Sequence, residues 1–153
     1  MGSVSVALSF PGTVHLAETC WYDTDRWPAW VDGLARVVEV QGKWPEPGSS
    51  VRWESGPAGR GRVLERVIGY EPLGGQTLEV EDDSIRGRQS VAFTPADGNV
   101  QVELSLQYQI KRRNPVTPLV DLLFIRRAMA ISLRKTLERF GAELAGTRQG
   151  LVR

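Results

Sequence analysis

Apolar and polar residues alternate strictly from Val100 to Ile110. Val100, Val102, Leu104, Leu106, Tyr108 and Ile110 fall on one side and Gln101, Glu103, Ser105, Gln107 and Gln109 on the other, which predicts a long strand with one dry and one wet face. Beyond Asn114-Pro115-Val116-Thr117-Pro118 the period changes. Leu122, Met129, Leu133, Leu137, Phe140 and Leu144 recur at spacings close to multiples of 3.6, and a helix of about seven turns is expected over Leu119 to Leu144. Each element has an apolar side to bury, so sheet and helix should cover one another.

Six further strands are expected upstream. Ser3 to Phe10 alternates through Val4, Val6, Leu8 and Phe10 and stops at Pro11-Gly12; Leu34 to Val40, Val51 to Glu54, Arg62 to Tyr70, Gln76 to Glu81 and Arg86 to Thr94 follow. Glycine, proline and aspartate punctuate them, most clearly at Pro72-Leu73-Gly74-Gly75 and Ala96-Asp97-Gly98-Asn99. Thr13 to Trp21 and Thr24 to Val31 suit two short helices, with Thr13 and Thr24 as N-caps and Pro28 limiting the second to a turn or two unless it sits in the first turn. Connections this short cannot carry parallel crossovers. The expected class is therefore α+β: a curved antiparallel sheet of about seven strands wrapped around a long C-terminal helix, with two short helices after the first strand.

Composition narrows what such a fold does. The 153 residues, 41% of them hydrophobic, suit a single domain with its core at about residues 3–145 and a short flexible C-terminal tail. Nineteen Lys and Arg against eighteen Asp and Glu provide no net field to attract nucleic acid. Cys20 and His15 are the only residues of their kinds, which excludes a disulfide framework and a Cys- or His-rich metal centre; no cofactor is expected. There is no integral membrane segment and no secretory signal pattern, so a cytoplasmic protein is expected.

The stretch Trp21-Tyr22-Asp23-Thr24-Asp25-Arg26-Trp27-Pro28-Ala29-Trp30-Val31, the approach Pro47-Gly48-Ser49-Ser50-Val51-Arg52-Trp53 to the third strand, the Arg126-Arg127 helix and the element order together resemble the START-like helix-grip (SRPBCC) superfamily. Within it the chain looks like the polyketide cyclase/dehydrase branch, over roughly Ser3 to Leu144. The resemblance implies a deep apolar cavity between sheet and helix, which different members use for lipids, hormones, polyketides or other hydrophobic molecules. It supplies no universal catalytic triad to carry over, so fold constrains function without naming it. The leading expectation is binding of a hydrophobic or aromatic small molecule, lipid-, polyketide- or steroid-like. A polyketide cyclase/dehydratase-type enzyme using the same cavity and a protein-interaction module stand beside it, and a homodimer is left open.

Candidate side chains come from breaks in these patterns. Five tryptophans occur in the chain; Trp21, Trp27, Trp30 and Trp53 lie in segments that should cover one end of the sheet, and Trp27, Trp30 and Trp53 are candidate ligand contacts, while Trp44 suits an exposed loop. An indole gives a guest a flat face and one donor, and it is equally good core. Gln89 shares a strand face with Val91 and Phe93, and Tyr108 lies on the dry face of the next strand, so both can orient a ligand oxygen or satisfy one another. On the helix, Arg126 and Met129 share a face with Leu122; Arg126 can hold a carboxylate or enolate, or snorkel outward. Glu65 and His15 are the acid–base candidates, Glu65 only if Val63 and Val67 face inward with it. Glu79, Glu81 and the Asp82-Asp83 turn suit a solvated edge, and Gly56 to Arg62 suits a hairpin connection rather than a phosphate loop. The runs Lys111-Arg112-Arg113 and Arg126-Arg127 lack the aromatic interleaving of a nucleic-acid site.

Overall fold

The computed structural model describes residues 2–57, 59–111 and 119–152. In chain order the elements are β1 (Gly2–Pro11), α1 (Val14–Tyr22), a 3-10 turn (Thr24–Arg26), α2 (Trp27–Trp30), β2 (Leu34–Gln41), β3 (Ser50–Ser55), β4 (Arg62–Glu71), β5 (Gly75–Glu81), β6 (Ile85–Ala96), β7 (Asn99–Ile110) and α3 (Leu119–Val152). All the elements expected from patterning are present. The Asn114–Pro118 junction and Arg112-Arg113 lie outside the described residues.

The strands form one sheet in the order β1-β7-β6-β5-β4-β3-β2, antiparallel throughout. The first strand pairs with the last from Gly2 opposite Tyr108 to Pro11 opposite Asn99, so the chain ends its sheet beside where it began. Register shifts fall between Leu34 and Arg36, Val37 and Glu39, and Val67 and Gly69. Such bulges add twist and bend a strand. The dry face reads out as expected: Val100, Val102, Leu104, Leu106 and Tyr108 are buried, as are Val63, Glu65 and Val67 on β4.

Local chemistry explains the helices. The Thr13 hydroxyl accepts from the Leu16 backbone N–H at 3.1 Å and caps α1. Asp23, not Thr24, caps the following turn by accepting from the Asp25 N–H at 3.2 Å. Pro28 occupies the first turn of α2, where its missing N–H costs nothing. α3 spans 34 residues, and it continues as helix to Val152 through the segment expected to be a flexible tail. Leu133, Leu137, Phe140 and Leu144 are its buried apolar positions, and the helix packs on β1, α1 and α2. Its earlier turns expose Leu123, Phe124 and Ile131.

Two further sequence expectations change. Trp44 is half-buried rather than in an exposed loop: its indole donates to the Tyr22 carbonyl at 2.9 Å and its ring meets Trp27 edge-on at 5.5 Å. Asp82 is buried rather than solvated, because its carboxylate accepts from the Ser84 and Ile85 backbone N–H groups at 2.8 Å and pairs with Arg60. A turn residue that caps its own turn is drawn inward by those bonds.

Gly75 begins β5 at φ +150, and a Cβ there would overlap the Val91 carbonyl oxygen of β6. Both the backbone conformation and the close approach require glycine. Gly75→Ala should lower the unfolding free energy by about 1–3 kcal/mol, read as a lower urea midpoint at unchanged m-value; an unshifted midpoint would show that the β5–β6 spacing relaxes freely.

Candidate functional site

Aromatic residues bring the short helices onto the sheet. Trp27 and Trp30, three apart on one helical turn, both point inward. Trp30 packs against Trp21 with ring centroids 4.6 Å apart, and Phe140 of α3 meets Trp21 and Trp30 edge-on at 5.0 and 5.1 Å. Between this cluster, the sheet and α3 lies a cavity of about 50 Å³, lined by Trp21, Trp27, Trp30, Trp53, Glu65, Arg60, Gln76 and Gln89, with Leu78, Leu104, Leu133 and Thr136 completing the wall. The deep apolar cavity implied by the resemblance is thus reduced to a small one with polar groups on its wall, because four indoles occupy much of the interior.

The polar groups are unevenly satisfied. Trp27 Nε1 donates to the Trp21 carbonyl at 2.8 Å. Trp30 Nε1 and Trp53 Nε1 are buried and find no hydrogen-bond partner among the described residues, and the same holds for Gln76 Oε1. Gln76 Nε2 donates to the Pro45 carbonyl at 3.1 Å, which fixes the orientation of its amide. An unpaired buried polar atom costs about 1–3 kcal/mol.

Glu65 is 5% exposed. Burial pushes its carboxyl up to about 7, against the opposing pull of the Arg60 charge and of the nearby Trp53 indole N–H; that indole does not reach hydrogen-bonding geometry with any group among the described residues. Arg60 stands at the edge of the cavity. Its Nε donates to Asp82 Oδ2 at 2.6 Å and its guanidinium lies 5.6 Å from the centre of the Trp53 ring, while 28% of the side chain remains exposed. On the helix side, Ser132 Oγ donates to Asp32 Oδ2 at 2.7 Å, the Asp32 backbone N–H donates to Thr136 Oγ1 at 3.0 Å and Arg139 donates to Asp32 Oδ1 at 3.3 Å. These bonds tie the segment after α2 to α3 and hold the wall closed.

Of the side chains singled out from sequence, the cavity brings together Trp27, Trp30, Trp53, Gln89 and Glu65. Phe93 is buried in the cluster, edge-on to Trp21 at 6.0 Å, and is not part of the wall. The buried Tyr108 lies across Gly2 at the far edge of the sheet. Arg126 is exposed, in a shallow groove of about 500 Å³ with Ser3, Ser5, Leu123 and Arg127; Met129 is half-buried against the core, and His15 is exposed on α1. Sequence reasoning did not place Gln76, Arg60, Asp32, Ser132 or Thr136 at the site. Gln76 had a readable signal, since it interrupts the dry register of Leu78 and Val80 as Gln89 interrupts that of Val91. Arg60, in a connection, had none.

A wider depression of about 690 Å³ lies on the outer face of the sheet, lined by Arg66, Glu79, Glu81, Arg86, Arg88 and Gln107. It is solvated surface: Arg66 pairs with Glu79 at 2.6 Å and Glu81 with Lys111 at 2.8 Å, and nothing encloses it. Among the described residues no group of three His, Cys, Asp or Glu is placed to hold a metal ion, and no helix is long and apolar enough to cross a membrane. Among the described residues, the interior site brings together one carboxyl pushed up to about 7 by burial, two indole donors and an amide acceptor inside aromatic walls.

The family model described as polyketide cyclase/dehydrase and lipid transport matches residues 1–145. Among curated proteins no sequence match reaches significance. Solved structures with the same fold include a START superfamily protein from Mycobacterium smegmatis, with a TM-score of 0.76 at 11% identity over 96% of this chain and 99% of that one. The Zhui aromatase/cyclase from Streptomyces sp. R1128 gives a TM-score of 0.76 at 12% identity over 94% and 93%. The di-domain aromatase/cyclase StfQ of the steffimycin biosynthetic pathway gives 0.77 at 19% identity over 97% of this chain and 51% of that one.

Proposed function

The chain belongs to the polyketide cyclase/dehydrase and lipid transport family, and from that premise we propose that it holds a small hydrophobic, aromatic molecule in the indole-walled cavity between its sheet and α3. The observation that carries this reading is the position of Trp21, Trp27, Trp30 and Trp53 around one cavity; flat aromatic walls favour a flat guest through stacked and edge-on contacts. Its 50 Å³ compares with roughly 300–1,000 Å³ for pockets that enclose drug-sized ligands, so a guest of that size requires the wall to open. Arg60 is the side chain best placed to give way, being partly exposed and held by one ion pair.

Native mass spectrometry of protein purified from cells should show a small molecule that leaves on denaturation, and one- to three-ring aromatics should raise the melting temperature saturably. A bare protein mass together with an unmoved melting transition across that series would remove the reading.

Glu65 supports a second reading, in which the same cavity catalyses a cyclisation or dehydration. A carboxyl pushed up to about 7 by burial can both give and take a proton near neutral pH. It stands beside Arg60 and Trp53, whose positive charge and N–H would stabilise a developing oxyanion. On this reading Glu65→Gln abolishes turnover while leaving guest affinity intact; on the binding reading it leaves both the guest and its fate unchanged.

A further inference from the structure

We propose that the cavity recognises a hydroxyl group, so that its guest is a phenol or an enol rather than a hydrocarbon or an ether. This rests on guest binding at the same cavity and adds the chemical class of the guest.

Trp30 and Trp53 are each 1% exposed and Gln76 is 4% exposed, and all three line the one cavity. Their unpaired atoms are two N–H donors and one carbonyl acceptor. The Tyr22 hydroxyl is the other buried side-chain atom left without a partner among the described residues, and Tyr22 is not on this wall. The Gln76 assignment is firm, since the Pro45 carbonyl requires a donor and takes Nε2, leaving Oε1 as the acceptor.

Two donors and one acceptor are the complement of one hydroxyl, which accepts through two lone pairs and donates one O–H; the Glu65 carboxyl on the same wall can donate or accept according to its protonation and so meets either kind of guest. A ketone or methyl ether satisfies the indoles but leaves Gln76 Oε1 unmet. An ammonium group meets Gln76 and opposes both indoles, and a hydrocarbon meets none. Sites with buried hydrogen-bonding groups discriminate strongly against analogues that leave those groups unpaired. Water has the same complementarity, so a guest must compete with it for these groups.

Phenol, anisole and toluene are close in size and differ in this one respect. Each is titrated into the ¹⁵N-labelled wild-type chain while the indole Nε1–H resonances are followed, with Trp30→Phe and Trp53→Phe used only to assign them. Phenol is expected to move both resonances saturably and to bind at least about tenfold more tightly than anisole or toluene. Gln76→Met, similar in volume but without the acceptor, should remove that preference. The wild-type titration stands alone if Gln76→Met fails to fold. Equal affinity for the three probes, or phenol binding without movement of the two indole resonances, overturns the hydroxyl proposal and leaves guest binding standing. Binding of none of them to a folded chain, together with no response to larger aromatics, overturns both.

Discussion

Phe140→Ala should cost about 3–5 kcal/mol of stability, the range for a fully buried aromatic truncated in a core. Phe140 is inaccessible to solvent, and its ring meets Trp21 at 5.0 Å, Trp30 at 5.1 Å and Phe10 at 6.1 Å, all edge-on. It joins three parts of the fold: α3, the helices that carry the tryptophans, and β1. Truncation removes the transfer energy of the ring, leaves a cavity beside two indoles and loses three edge-on aromatic contacts. Urea unfolding followed by tryptophan emission measures the effect. A loss below about 1 kcal/mol would mean that α3 does not hold the aromatic cluster and that the site is organised some other way.

Glu65 makes stability depend on pH in the opposite sense to an ion-paired carboxylate. In the unfolded chain it titrates at its ordinary value of 4.5, and in the folded chain at about 7. Between these values the unfolded chain has already lost the proton that the folded chain retains, so raising the pH favours unfolding. The wild type should therefore have its full share of stability from this group below the ordinary value, lose it progressively up to about 7, and stay level above that. The interval corresponds to about 3 kcal/mol. Glu65→Gln removes this dependence, so its stability relative to wild type should rise by about that amount between pH 4 and pH 8. Taking the difference between the two proteins cancels the titration of every other group that they share. A constant difference across that range would show that Glu65 is hydrated in the folded state, which would also weaken its candidacy as a proton-transfer group.

The site was partly legible beforehand because burial on a strand is a property of register. Once Val63 and Val67 face inward, Glu65 must follow, and the alternation through Val91 and Phe93 likewise carried Gln89 to the interior. The same rule applied to Gln76 beside Leu78 would have added a third polar group. Helical phase was less informative for Arg126. A residue between the apolar ridge and the solvent is turned in or out by what packs against that turn, and the helix there is exposed enough for Arg126 to face water.

Alternation, the change of period after Ile110 and the glycine and proline stops were enough to establish an antiparallel sheet with one long helix, because those patterns are local consequences of a chain that must bury one face of each element. Contacts between residues distant in sequence left no such trace. The drawing of Asp82 inward by its own turn and by Arg60, the closing of the interior by indoles from α1, α2 and β3, and the meeting of Trp30, Trp53, Gln76 and Glu65 at one small cavity all depend on how far α3 and the short helices stand from the sheet. That separation follows from close packing of side chains from several elements at once, and no periodicity along a single element encodes it.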